Sequence, residues 1–355
     1  MQMKAHSATD LGPGPMIAGA IPLIDVSGHL RGDVEASHNA AARLRWAFEN
    51  VGFYYLSGHG VPQALIDRAY EAAARFHAQP MSRKLALKVN EHNIGYLPIS
   101  DAASLQAAAQ GRKPSQNEAY FLRRERTPDD PKVIAKKRFH GLNQWPADLP
   151  GFRETTLEYM RTLEALSRRL VPLYAMALDL PADFFDACFA EPHMILRMSR
   201  YPVIDGEDEM VASLVPHTDS GFMTLLPPNR VPGLSIQLPN GRWIDAPGVD
   251  GAYVINGGDI LHRWTNERFL STPHRVRNVS GQVRYAIPFF CDPDHDTIIE
   301  CLPTCRSADN PAKYPPIRFG DYALWFASKS YQHMANEAVL PDAVVAPGAR
   351  ATARW

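Results

Sequence analysis

The stretch from residue 194 to about 292 constrains this 355-residue chain most, because short apolar runs there are broken repeatedly by Gly, Pro and Asn. Runs of that length between turn residues, as at Pro239-Asn240-Gly241 and Ser280-Gly281, suit strands rather than helices. The pattern predicts an all-β barrel or sandwich core flanked by helices. The preceding sequence has a different period. Ala41, Leu44, Phe48 and Val51 recur at helical spacing, predicting a helix over 37–50. Leu157, Met160, Leu163, Leu166 and Leu170 mark a long amphipathic helix within 153–180, with a kink expected at Pro172. A further helix is expected over 63–79, after Val61-Pro62, and another within 316–335, packed on the outside. Residues 21–25 and 52–56 read as strands. The expected fold class is α+β with a mainly β core.

Residues 1–20, with Pro13 and Pro15, read as a mobile arm. Residues 90–150 are polar and rich in turn formers (Gly95, Pro98, Gly111, Pro114, Pro128, Pro131), the texture of a covering loop, with 95–125 as a candidate lid. The chain therefore divides into an arm (1–20), an N-terminal helical and strand region with its cover (21–150), a β core with a supporting helix (151–335) and a tail (336–355).

Lys plus Arg number 37 and Asp plus Glu 38, so no global field favours nucleic acid or an anionic membrane. The N-terminus has no sustained apolar run, and no later segment is long enough to span a bilayer. A soluble, cytoplasmic protein acting on a small molecule is expected; oligomeric state is not legible. Cys188, Cys291, Cys301 and Cys305 form no CxxC pair, which suits reduced thiols.

His217-Thr218-Asp219 is a His-x-Asp tripeptide. On extended chain, residues i and i+2 point the same way, so one short segment delivers an imidazole and a carboxylate together. His274 follows 55 positions after Asp219, behind Ser271-Thr272-Pro273. Two imidazoles and a carboxylate on one face leave three positions of Fe(II) open for a chelating co-substrate and O2. The tripeptide alone is weak, since such triplets also occur in surface turns.

The surroundings give it weight. Asn256-Gly-Gly-Asp-Ile260, Trp264-Thr-Asn266, Ser271-Thr-Pro-His-Arg-Val276 and Arg284-Tyr-Ala-Ile-Pro-Phe-Phe290 follow one another in order. Earlier in the chain stand Ile21-Pro-Leu-Ile-Asp25, Gly52-Phe-Tyr-Tyr-Leu56, Gly58-His-Gly-Val-Pro62, Asn143-Gln-Trp-Pro146 and Tyr201-Pro202. From about residue 21 to 335 the chain resembles the 2-oxoglutarate/Fe(II) dioxygenases of the isopenicillin N synthase-like group. That resemblance implies a double-stranded β-helix (jelly roll) wrapped by N-terminal and C-terminal helices. It implies His217, Asp219 and His274 as the catalytic iron ligands. It implies 2-oxoglutarate and O2 as co-substrates, with oxidation of an aliphatic C–H and release of succinate and CO2. Hydroxylation, desaturation and ring closure all remain open outcomes. His262 and His59 read as structural.

Within the resemblance, Arg284 suits the distal carboxylate of 2-oxoglutarate, because a guanidinium offers two charge-assisted hydrogen bonds. Ten positions after His274, it is expected across a hairpin turning at 278–282. The group's pattern is Arg-x-Ser, whereas this chain reads Arg284-Tyr285-Ala286. Tyr201 is the natural replacement for the missing hydroxyl, and Ser199 stands where the group often has Asn. These departures keep open an iron oxidase that does not use 2-oxoglutarate, or one that fragments it to ethylene. A silent small-molecule-binding protein and a zinc module are the readings from other classes; a closed zinc site wants a fourth protein ligand. Tyr96, Tyr120, Phe222 and Phe290 are candidate pocket walls, each also suited to plain core. Arg197 alternates with Ser199 and Tyr201, and either looks into the pocket or serves a structural salt bridge.

Overall fold

Nine residues of extended chain, His193–Tyr201, form the axis of the fold, and their alternation separates its two interiors. The computed structural model describes residues 12–99, 115–203, 213–337 and 340–341. The larger of two main sheets runs in the order Met16–Ile17, Ile21–Asp25, Phe53–Ser57, Ala252–Asn256, Met223–Leu226, Phe289–Asp292, His193–Tyr201, Glu118–Arg123, Gly95–Leu97. Arg284–Ala286 also pairs with His193–Tyr201. The smaller sheet runs Trp243–Asp245, Leu234–Gln237, His274–Val276, Leu214–His217. Two facing, mostly antiparallel sheets with helices outside are the jelly roll that the resemblance implies.

On the convex face of the large sheet, Leu196, Met198, Met223, Leu225, Phe289 and Cys291 join the main apolar core. The helices Val34–Asn50, Gln63–His77 and Phe152–Ala177 cover that face. Leu163 and Leu170 of the long helix are fully buried, each contributing about 1.5–3 kcal/mol. On the concave face a second cluster forms between the sheets, where Tyr201, Val254 and Ala286 meet Leu234, Ile236 and Val276.

The helices agree with the periodicity: Val34–Asn50, Gln63–His77, Phe152–Ala177 and, near the C-terminus, Phe319–Ser330. The long helix continues through Pro172. Three expectations change. The last residues of the arm are structured, since Met16–Ile17 pairs with Pro22 and Ile21; residues 1–11 and most of the tail lie outside the described residues. The covering stretch is not all loop: Gly95–Leu97 and Glu118–Arg123, both inside 90–150 and inside the candidate lid, are paired and buried strands of the large sheet. Residues 100–114, the middle of the candidate lid, also lie outside the described residues.

The hairpin expected at 278–282 is not one. His274–Val276 belongs to the small sheet and Arg284–Ala286 to the large one, so the chain crosses between sheets. Asn278 holds the crossing: its side-chain Nδ2 donates to the carbonyls of Tyr201 (3.1 Å), Pro202 (3.1 Å) and Gln282 (2.7 Å). Among the described residues, no helix is long and apolar enough to cross a membrane.

Candidate metal centre and co-substrate site

His217 ends the strand Leu214–His217, Asp219 follows it, and His274 opens the neighbouring strand directly opposite His217. One ligand atom from each residue lies within 4.8 Å of the others, a spacing that can hold a metal ion. The imidazole Nε2 atoms lie 3.9 Å (His217) and 3.6 Å (His274) from Asp219 Oδ1. Each ring has its Nδ1 turned to a backbone carbonyl, Val215 at 2.9 Å and Thr272 at 3.2 Å. A proton on Nδ1 satisfies those carbonyls and leaves both Nε2 lone pairs for a metal.

The other oxygen of Asp219 is engaged, Oδ2 accepting from Thr224 Oγ1 (2.6 Å) and Asn256 Nδ2 (2.7 Å). Those bonds fix the carboxylate so that Oδ1 faces the imidazoles. Burial and the His274 charge push the His217 imidazole down to about 3, against the pull of Asp219. Burial alone would raise Asp219, but the neighbouring imidazoles and the bonds from Asn256 and Thr224 hold it below the usual range. The donor set is therefore a carboxylate with a neutral imidazole at His217, which fits Fe(II) with open positions.

Two glycines let the surrounding turns close. A Cβ on Gly221 would meet Asp292 Oδ1 at 2.0 Å, and one on Gly258 would meet the carbonyl of Asp219 at 2.5 Å. Asp292 instead accepts the Phe222 amide at 2.7 Å, and burial pushes its carboxyl up to about 7. The Asn256-Gly-Gly-Asp-Ile turn braces the tripeptide through Asp259 N–H to Asp219 O (2.8 Å) and Ile260 N–H to Ser220 O (3.1 Å).

Arg284, 2 % exposed, lies opposite Tyr201 in the large sheet, its guanidinium 5.3 Å from the Tyr201 ring centre. Its Nε donates to the Val231 carbonyl at 3.2 Å, while Nη1 is buried with no hydrogen-bond partner. No carboxylate lies within ion-pairing distance of it among the described residues. At position 286, Ala286 is directly opposite Ser199, whose fully buried Oγ is also unpartnered. A hydroxyl is therefore present on the adjacent strand, at the position facing the one that lacks it. Orphaned buried donors of this kind are expensive unless something fills the space between them.

Two family models match the chain: a non-haem dioxygenase N-terminal region over residues 21–148 and the 2OG-Fe(II) oxygenase superfamily over 190–293. A 2-oxoglutarate-Fe(II) type oxidoreductase, hxnY, of Emericella nidulans is 35% identical over 89% of this chain and 92% of its own. The chain belongs to the 2-oxoglutarate/Fe(II) oxygenase superfamily. Among solved structures, a full-length Neurospora crassa protein in complex with alpha-KG and thymine superposes with a TM-score of 0.76 at 29% identity, over 85% of this chain and 94% of that one. JOX2 in complex with 2OG, Fe and JA superposes with a TM-score of 0.72 at 27% identity, over 95% and 96%. The protein is thus an enzyme, an oxygenase dependent on Fe(II), 2-oxoglutarate and O2.

Within the oxygenase, the structure sorts the remaining candidates. Tyr96, Tyr120 and Phe222 are core residues with no exposed surface, whereas Phe290 is half-buried on the concave face beside Thr224 and Ile195. His262 supports the fold, its Nδ1 at 2.6 Å from the Phe269 carbonyl, and His59 accepts the Val61 amide at 3.0 Å. All four cysteines are free. Two contributors went unread. Thr224 orients Asp219, and Tyr70, from the helix Gln63–His77, approaches Arg284 closely enough for the guanidinium charge to act on its hydroxyl. Neither has a local signal, since each meets the site only through the fold.

Proposed function

We propose that His217, Asp219 and His274 hold the Fe(II), and that Arg284, Tyr201 and Ser199 receive the distal carboxylate of 2-oxoglutarate. The observation carrying this reading is the pair of orphaned buried polar atoms, Arg284 Nη1 and Ser199 Oγ, on the face of the large sheet that looks toward the small sheet carrying His217 and His274. A carboxylate satisfies both at once: the guanidinium as a charged donor, the serine hydroxyl as a neutral one. Tyr201 walls the same pocket and lies against Arg284.

Iron with 2-oxoglutarate and O2 supplies an oxidant for an unactivated C–H, with succinate and CO2 as co-products. The chain's own residues bind and orient. Thr224 and Asn256 hold Asp219 in one rotamer, Val215 and Thr272 hold the imidazoles, and the apolar cluster between the sheets keeps water from the buried cation. The substrate is a small organic metabolite, which is hydroxylated, desaturated or cyclised. The Neurospora crassa and JOX2 complexes, with thymine and JA, are consistent with a small-molecule pocket on this fold. A serine facing residue 286 also removes the motive for a co-substrate-free oxidase or an ethylene-forming reaction.

The test is anaerobic titration of 2-oxoglutarate into the Fe(II) protein, followed through the metal-to-ligand absorption band. A saturable band in the wild type, greatly weakened in Arg284→Ala, is expected. No band, together with turnover that yields no succinate, would overturn the assignment.

A further inference from the structure

We infer that Arg197 receives a carboxylate of the prime substrate, so that the oxygenase acts on a small, largely apolar organic acid. The inference rests on the iron and 2-oxoglutarate reading above and deepens it.

Arg197 shares the concave face with Ser199 and Tyr201 by strand alternation. The register gives its position between two functional rows. Ile195 lies opposite Phe290, which lies opposite Thr224, the residue that holds Asp219. Two positions further, Ser199 lies opposite Ala286 in the co-substrate row. Arg197 occupies the row between them, about 7 Å along the strand from each.

The guanidinium is poorly used by the protein itself. Nη2 donates to a neutral acceptor, Asn117 Oδ1, at 2.9 Å, and Nε is buried without a partner. Its carbon lies 5.5 Å from the ring centre of Phe121, the residue directly opposite. Among the described residues no carboxylate comes within ion-pairing distance. Arg200, on the other face of the same strand, binds Glu118 Oε1 at 2.9 Å. A half-buried cation without an anion is costly to desolvate, and that cost is recovered when a carboxylate docks. Arg284 already serves the single free carboxylate of 2-oxoglutarate, so this second cation is left for the substrate.

The walls beside it are apolar. Leu97, Ala119 and Phe121 form one small cluster, with the half-buried Ile195 and Tyr331 packed against it. Ile195 and Phe290 continue that surface toward the triad. A carboxylate on Arg197 would therefore lay a hydrocarbon skeleton across Ile195 and Phe290, presenting its C–H bonds to the metal side.

The experiment uses the full-length protein loaded anaerobically with Fe(II) and 2-oxoglutarate. Matched acid and amide probes (phenylacetate and phenylacetamide, benzoate and benzamide, hexanoate and hexanamide) are titrated while the chelation band and the thermal midpoint are followed. In the wild type at least one acid should perturb both readouts and bind at least about tenfold more tightly than its amide. Arg197→Met should reduce that preference to less than about twofold, and Arg197→Lys should retain part of it. Arg197→Gln stands in if the methionine variant does not fold. The chelation band, recorded first, tests the co-substrate reading separately: its absence from the wild type counts against that reading. Its loss only in Arg197→Met would assign Arg197 to the co-substrate and overturn the inference. A panel in which no acid outbinds its amide, or an acid preference that survives Arg197→Met, also overturns it.

Discussion

Arg197 and Arg200 stand three positions apart on one strand, yet their surroundings are opposite. On the convex side Arg200 meets Glu118, a buried carboxylate that also receives Lys84 Nζ at 2.7 Å and the Tyr96 hydroxyl. His77 Nδ1 is a further 3.7 Å away. That carboxylate has two cations and a hydroxyl around it. On the concave side Arg197 Nε, Ser199 Oγ and Arg284 Nη1 are buried and unpartnered. Most buried polar groups are satisfied within a folded chain, so three unsaturated ones along a single sheet face mark a place that a ligand can complete. The two faces should therefore fail differently: convex variants should cost stability, concave variants should cost binding.

Asp219→Ala should have the largest functional effect. Iron binding and turnover are lost, while the thermal midpoint of the metal-free protein stays within a few degrees of wild type, since Thr224 and Asn256 can turn to water. Metal analysis after dialysis, alongside calorimetry, checks both halves; wild-type iron occupancy in this variant would remove Asp219 from the ligand set.

Glu118→Gln is its converse, leaving two cations near a neutral amide at a cost of roughly 3–5 kcal/mol. Burial alone would raise the Glu118 carboxyl, but His77, Lys84 and Tyr96 around it hold it well below the usual range. With the folded value depressed, its contribution is fully present above the unfolded value of about 4.3 and is lost progressively as pH falls from there through the folded value. The stability gap between wild type and Glu118→Gln should stay flat from about pH 5 upward and narrow progressively below it. Urea melts across that range would show it, and a gap that closes near neutrality would contradict the pairing.

Arg284→Ala comes next. The affinity for 2-oxoglutarate should fall by at least about 10–100-fold, the worth of a charged hydrogen-bond donor. Stability should not fall in proportion, because an unpaired buried cation is removed. The smallest effects separate the two strands of the co-substrate row. Ser199→Ala should weaken 2-oxoglutarate by about 0.5–1.5 kcal/mol, and Ala286→Ser in that background should restore part of the loss, because the two side chains face the same space. Binding unchanged in Ser199→Ala would mean that the serine hydroxyl does not reach the co-substrate.

Much of this was legible in the chain. Helical spacing marked the covering helices, and His217-x-Asp219 needed only the two-residue strand period to become a pair of convergent ligands. The faces of Glu118–Arg123 were harder. Every residue of that strand is buried, because one side packs on helices and the other lines the barrel, so no polar alternation separated Tyr120 from Phe121. Tyr96 and Tyr120 accordingly read as equal candidates for the pocket, although both face the core.

The sequence by itself determined the donor chemistry: two imidazoles and a carboxylate at fixed spacing, an arginine ten positions beyond, and strands long enough to carry them. Those are local properties, set by residue type and backbone period. Only the tertiary structure decided that the chain leaves one sheet after Val276 and enters the other at Arg284, where a hairpin was expected. The same crossing brings Ala286 opposite Ser199, and the fold brings Thr224 to Asp219, Tyr70 to the neighbourhood of Arg284, and Arg197 into the row between triad and co-substrate. Each of these pairs is distant in sequence or lies on a different element. Their meeting depends on strand register and sheet order, which are fixed by burying the two apolar faces together and leave no local trace in either segment.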